Sequence, residues 1–256
     1  MKIGIDIRPL RDIMTGIGRY QYKMLEALAR IDSINEYILF YNSLSPRVPE
    51  GLPRRENFRL IFTRLPGKFL TALWAFTPLI SVERFTGNID IFHSPSFQVP
   101  PARNAARVFT VFDLIAITHS EMAIPSAVRH FRPRVRHYAA RADLVVAISK
   151  ATAADVVNHL GVPEEKVVTV YPGTTPFERS ESDRIAATKR KYDIKGDYIL
   201  FVSRLDPRKN LSRLFKAFEK SGLHRELELL VAGPKGWHMD EMFATWHDSE
   251  CKDKIR

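Results

Sequence analysis

A single cysteine, Cys251, stands among the 256 residues, which excludes an internal disulfide framework and a cysteine-built zinc cage. Nothing in the composition asks for an oxidising compartment or a metal. Apolar runs are short as well: the longest, FLTALWAFTPLI from Phe69 to Ile80, is broken by two threonines and by Pro78. It falls short of the roughly 20 residues that a membrane-spanning helix requires. The opening residues MKIGIDIRPL lack the charged segment, apolar block and small-residue cleavage site of an export signal. These absences predict a cytoplasmic protein. Acidic residues are the minority charge, 29 against 39 Lys and Arg, giving a formal net charge of +10. Such an excess attracts any polyanion, and charge alone does not choose among nucleic acid, anionic lipid and phosphorylated small molecules.

What the sequence does contain is an alternation of strand-like and helix-like stretches. Strands are predicted at Lys2 to Ile7, Tyr37 to Tyr41, Phe58 to Phe62, Ile89 to His93, Val108 to Phe112, Leu144 to Ile148 and Val167 to Tyr171. Between them, three- and four-residue spacing of apolar residues predicts helices at Ile17 to Ile31, Lys68 to Phe85, Ile124 to Arg141 and Ala151 to Leu160. This is the pattern of a doubly wound α/β domain, assigned to residues 1–173. The stretch PGTTPFERSESD then has linker composition, placed at 174–182, and a second α/β unit follows over 183–256. That unit holds only two strand-like runs, ending in LELLVAG, too few for a complete parallel sheet. The sequence is therefore expected to stop within this second unit, with the sheet edge at LELLVAG unpaired.

The run YILFVSRLDPRKNLSRLFKAFEK, Tyr198 to Lys220, carries the clearest chemistry. Ile199 to Val202 reads as a strand buried on both faces, Asn210 as a helix cap, and Leu211, Leu214, Phe215 and Phe218 as the apolar stripe of a helix. Arg204 and Lys209 then fall at the carboxyl edge of a strand, beside a helix start, where anions bind. A solvated basic turn is the plain alternative. Near the amino terminus, TGIGRY offers Gly16 and Gly18 as backbone N–H donors at a helix start, but it lacks the third glycine of a dinucleotide fingerprint. Gly233 and Lys235, in AGPKGW, occupy the next loop at a strand end.

In order along the chain, GIDIRPLRDIMTGIGRYQYKMLEALAR, IDIFHSPSFQVPP, VFTVFDLIAITHSE, ADLVVAISKATAADVVNHLGVPEEKVVTVYPG, ILFVSRLDPRKNLSRLFKAF and LLVAGPKGW resemble the retaining glycosyltransferases of family 4. The resemblance implies the GT-B fold, two Rossmann-like doubly wound domains, the second incomplete here. It implies a GDP- or UDP-sugar donor used as substrate, no cofactor and no metal. It gives Arg204 and Lys209 the catalytic role of holding the donor diphosphate, Gly16 a backbone approach to the same group, and Gly18, Gly233 and Lys235 supporting donor contacts. The acceptor is expected to be lipid-linked or an oligosaccharide, in cell-surface polysaccharide synthesis, and mannose is the first choice of sugar.

Two departures from the family pattern bear on activity. Where members often place histidine before an aspartate, this sequence has Phe112 before Asp113. A phenyl ring cannot hydrogen-bond a hydroxyl, so acceptor-side roles pass to Phe112 as a stacking surface, to Asp113 as an orienting or catalytic carboxylate, and to His119. The family's paired glutamates would fall beyond Arg256, and Glu241 and Glu250 do not replace them. The chain by itself is thus expected to be silent, and a non-catalytic nucleotide- or sugar-binding module is the competing reading. Finally, Arg129, Arg132, Arg134, Arg136 and Arg141, with His130, Phe131, His137 and Tyr138, form a basic segment that Pro133 is expected to interrupt. It suits an anionic membrane on the inner face of the cell or a lipid diphosphate. No nucleic-acid module is present.

Overall fold

The computed structural model describes residues 1–256 except 13, 14, 46, 77–79, 96, 97, 175, 177 and 178, and leaves out the side chains of 12, 75, 76, 125–127 and 130. Three of the omitted positions belong to the predicted linker, and the side chain of His130 lies outside the description. The chain divides into two compact units, Met1–Gly173 and Thr174–Arg256.

In the first unit β1 (Lys2–Asp6) runs through a 3-10 turn into α1 (Gly16–Ile31), followed by β2 (Glu36–Asn42) and β3 (Phe58–Thr63). Then come α2 (Gly67–Phe76), α3 (Glu83–Thr86), β4 (Ile91–Ser94), β5 (Ala106–Val111), α4 (Ile115–Thr118), α5 (Pro125–Arg141), β6 (Leu144–Ala147), α6 (Lys150–Asp155) and β7 (Val167–Thr169). The strands form one parallel seven-stranded sheet in the order β3-β2-β1-β4-β5-β6-β7. Strand order reverses between β1 and β4, where Ile3 pairs with Ile91 and Ile5 with His93. In such sheets the crevice at that reversal, outside the carboxyl ends of the strands, is where ligands bind.

Packing explains the elements. One face of the sheet sets Ile5, Leu25, Tyr37, Leu39 and Tyr41 in a common core, and another cluster joins Ile38, Phe40, Leu70, Trp74 and Phe92. Alternate residues of β2 therefore go to opposite sides, both buried, as expected of a central parallel strand. The helix predicted from Lys68 to Phe85 is not continuous: α2 ends at Phe76 and α3 begins at Glu83. Pro78, between them, lies outside the described residues. The interruption expected at Pro133 does not occur, and this residue lies inside an uninterrupted α5. There the proline ring is exposed while Val135, Tyr138 and Ala139 bury on the opposite side, and that packing outweighs the roughly 3 kcal/mol a helix-interior proline costs.

The second unit comprises α7 (Ser182–Lys191), β8 (Tyr198–Val202), α8 (Leu211–Ser221), β9 (Glu228–Ala232) and α9 (Asp240–Asp248). Its parallel pair β8-β9 carries Leu229 against Leu211, Phe215 and Phe218 of α8, with Cys251 and Ile255 closing the cluster. Two sequence expectations need correction here. β8 is not buried on both faces: Tyr198 is 37%, Leu200 54% and Val202 70% exposed. Nor is the Leu229–Val231 edge unpaired. Val231 N donates to Arg256 O at 2.7 Å and Arg256 N to Leu229 O at 2.9 Å, so the end of the chain lies alongside β9.

Candidate functional site

The loop after β8 is built around a buried carboxylate. Ser203–Asp206 leads to a 3-10 turn, Pro207–Lys209, and through Asn210 to α8. Asn210 does not cap α8 in the manner its sequence position predicts. It adopts a left-handed conformation, φ 54° and ψ 41°, and its side chain makes no capping bond. Asparagine tolerates that region better than most residues. Asp206, 4% exposed, instead caps the 3-10 turn: its Oδ1 accepts from Arg208 N at 3.2 Å and from Arg208 Nε at 3.0 Å, while Oδ2 accepts from Nη2 at 2.9 Å. The Arg208 guanidinium in turn lies over the Trp237 ring, 5.0 Å from its centroid.

The adjoining loop after β9 presses against this one. Leu205 N donates to Pro234 O at 3.0 Å, and Leu205 and Lys235 form an isolated parallel bridge. A Cβ on Gly233 would lie 1.7 Å from Ser203 O, and one on Gly236 would lie 2.1 Å from Leu205 O. Gly233 also has φ +152°, which side-chain-bearing residues rarely adopt. Its place in the sequence pattern thus has a packing cause: the two loops touch backbone to backbone. Arg204, Lys209 and Lys235 are exposed, and among the described residues the side chains of Arg204 and Lys209 make no hydrogen bond or ion pair. A rigid loop pair therefore presents two uncommitted cations at the carboxyl end of β8.

In the first unit the groups converge at the carboxyl ends of β1, β4 and β5. Asp6 is fully buried and accepts from Arg8 N at 3.1 Å, Arg8 Nε at 2.8 Å and Arg8 Nη2 at 2.6 Å. Arg8 Nη1 reaches Gln98 Oε1 at 2.5 Å, and its guanidinium lies 5.3 Å from the centroid of Trp74. Gln21 Nε2 from α1 donates to the Asp6 carbonyl, and Gln98 Nε2 donates to Thr71 Oγ1. Thr15 caps α1, its Oγ1 accepting from Gly18 N at 3.1 Å. That corrects the role predicted for Gly18: its amide is already engaged and the residue is buried, which leaves exposed Gly16 as the open position of the pair.

The acceptor-side candidates fall close to one another. Phe112 directly follows β5, and its half-buried ring meets Tyr20 of α1 edge to face, centroids 5.2 Å apart at 89°. Exposed Asp113 accepts from Ile115 N at 3.3 Å, so its carboxylate starts α4. His119 is exposed at the other end of α4, its Nδ1 2.9 Å from Thr118 Oγ1. The structure gives Phe112 a packing partner and Asp113 a capping bond, both local. Of the basic segment, Arg129, Arg132, Arg134 and Arg136 are exposed and Arg141 is half-buried; Arg136 Nη2 donates to His159 O at 3.0 Å and Arg141 Nη1 to Trp74 O at 3.1 Å.

Sequence reasoning missed His93, Asp6, Arg8, Gln98, Asp206, Arg208 and Trp237. The available signal was the Asp-x-Arg triplet that occurs twice, DIR at 6–8 where β1 ends and DPR at 206–208 in the loop after β8. His93 Nε2 sits 2.8 Å from Thr110 Oγ1, and burial pushes its pKa down to about 4, against the opposing pull of the Asp6 charge. A histidine whose folded pKa lies below its unfolded value near 6.5 binds fewer protons folded than unfolded between pH 6.5 and 4. Its contribution is present above that window and is lost as pH falls through it, by up to about 3 kcal/mol. Urea unfolding at pH 7 and pH 4.5 is expected to show this loss, and His93→Gln to flatten it. An unchanged difference between the two pH values in the variant removes His93 as the cause.

Among the described residues no group of three or more His, Cys, Asp or Glu side chains gathers as a metal site would, and no helix is long and apolar enough to cross a membrane. The family model Glycosyltransferase Family 4 matches residues 14–176. The O-antigen chain mannosyltransferase B of Escherichia coli is 23% identical over 255 residues, 95% of this chain and 67% of that protein. Among solved structures, a glycosyltransferase from Rickettsia africae superposes with a TM-score of 0.61 at 18% identity, over 100% of this chain and 67% of that one. Anabaena Alr3699/HepE in complex with UDP-glucose gives a TM-score of 0.61 at 13% identity, covering 100% and 68%. The chain thus spans about two thirds of the length of each.

Proposed function

Because the chain belongs to glycosyltransferase family 4 and has the α/β architecture of GT-B glycosyltransferases, we propose that it moves a hexose, mannose first, from a GDP- or UDP-sugar to a lipid-linked or oligosaccharide acceptor in cell-surface polysaccharide synthesis. The observation that carries this reading is the exposed, uncommitted pair Arg204 and Lys209 on a loop braced by Asp206 and Gly233. Departure of a nucleoside diphosphate builds negative charge on its phosphates, and fixed cations held in advance of that charge lower the barrier. The donor is a substrate, and no resident cofactor is invoked. Support for a nucleotide-sugar donor comes from the HepE neighbour, which is seen with UDP-glucose, and support for mannose from the name of the Escherichia coli relative.

The acceptor side is the crevice at the β1/β4 reversal, with Phe112 and Asp113 at its rim. Exposed Arg132 and Arg134 of α5 offer a surface for an acceptor carried in an anionic bilayer on the cytoplasmic side. The packing of Phe112 on Tyr20, where a hydrogen-bonding group would serve transfer, favours a second reading as a nucleotide- or sugar-binding module without turnover. One assay separates the two. Release of GDP or UDP from a panel of nucleotide sugars is followed on the protein at the length its gene encodes, with a polyprenyl diphosphate-linked acceptor in anionic vesicles or in neutral detergent. Acceptor-dependent release with retained anomeric configuration is expected, faster on the vesicles. Nucleotide or sugar binding with no release leaves the binding module, and absence of both nucleotide and sugar binding removes both readings.

A further inference from the structure

The same side-chain device occurs in both units, each time at the carboxyl end of a strand that opens a strand-turn-helix. A buried aspartate receives the backbone N–H of the arginine two residues on, the Nε of that arginine on the same oxygen, and its Nη2 on the other oxygen. A tryptophan from a different segment lies under the guanidinium, Trp74 at 5.3 Å in one case and Trp237 at 5.0 Å in the other. A 3-10 turn beginning at Arg8 or Pro207 follows. Each part limits one degree of freedom. The backbone N–H fixes the turn, the planar two-point pairing fixes the guanidinium in the carboxylate plane, and the ring fixes the tilt of that plane.

In the second unit this device bears on the donor loop. Arg208 stands between the two cations assigned to the diphosphate, four residues after Arg204 and directly before Lys209. Its own charge is neutralised by Asp206, which is 4% exposed. Trp237 belongs to the loop after β9, so the contact ties that loop to the one carrying Arg204. Gly236, the residue before Trp237, leaves no space for a Cβ against Leu205 O. We infer that Asp206, Arg208 and Trp237 are positioning residues: they clasp the two loops together so that Arg204 and Lys209 point at the diphosphate, and Arg208 does not itself serve as a phosphate ligand. This rests on the reading of Arg204 and Lys209 as the diphosphate grip.

Lysine in place of Arg208 separates the two possible roles, because it keeps the positive charge and loses both the planar fork and the stacking plate. Binding of GDP and UDP by calorimetry is expected to weaken about tenfold in Arg208→Lys, the scale of coupling within one hydrogen-bonded network. Trp237→Phe, which keeps a ring face, is expected to stay within about twofold of the parent, and Trp237→Ala to fall with Arg208→Lys. In an Arg204→Ala background the Arg208→Lys exchange is expected to cost much less, since half of what the clasp aims is gone. A general loosening of the unit would not show that dependence on background, and thermal melts identify any variant that is unfolded, in which case Trp237→Ala carries the comparison. Parent-like affinity in both Arg208→Lys and Trp237→Ala overturns the clasp. An equal cost of Arg208→Lys in both backgrounds overturns it in favour of direct contact. Unchanged affinity in Arg204→Ala and Lys209→Ala instead removes the grip, and the clasp's purpose with it.

Discussion

Joint replacement of Arg204 and Lys209 by alanine is expected to abolish measurable binding of GDP and UDP while leaving the fold intact. Both side chains are exposed and make no internal bond among the described residues, so their removal strands no buried partner. What is lost is the pair of charge-assisted contacts to the diphosphate, each worth roughly tenfold or more in affinity, so the double variant falls by about a hundredfold at least. Calorimetry at low and at physiological salt checks this. The parent's affinity is expected to drop with added salt, because exposed cations are screened over about 8 to 10 Å, and the double variant is expected to lose that salt dependence. Affinity within twofold of the parent would move the diphosphate site elsewhere on the chain.

Gly233→Ala is expected to be the most damaging single-atom-scale change in the second unit. The added methyl would stand 1.7 Å from Ser203 O and 2.6 Å from Ser203 C, and both belong to backbone that cannot rotate away. The residue also has φ +152°. Strain of this kind costs about 1 to 3 kcal/mol, and forcing the loops apart about as much again. Urea unfolding monitored by circular dichroism should report a loss of about 3 to 5 kcal/mol from these two sources together. Nucleotide binding should fall in the same variant, since the loop that separates from Gly233 is the one carrying Arg204. Gly16→Ala is the matched comparison: nothing lies within 4 Å of its added Cβ, so stability should hold. Parent-like stability in Gly233→Ala would show that the backbone approach between the loops is not required.

What could be read from the sequence was what local pattern encodes. Apolar spacing placed α1, α5 and α8 and the strands β1, β2, β3 and β5 within a few residues, because a helix or a buried strand imposes its period on the residues that form it. The exposed turn that carries Arg204 and Lys209 was legible for the same reason: a strand, a basic turn and a helix are contiguous in the chain. The tertiary structure decided what depends on residues far apart. Whether Pro133 breaks its helix turned on Val135, Tyr138 and Ala139 having a core to enter, and the exposure of Leu200 and Val202 in β8 turned on what the fold packs against them. The edge of β9 closes on Arg256, which no periodicity announces. Asp6 reads as an ordinary strand residue and Asp206 as a charged turn residue until the fold brings Trp74 and Trp237 beneath their arginines. Local energetics act through neighbours in sequence, whereas burial of a carboxylate and the contact of two loops are set by sheet register, and register exists only once the strands have paired.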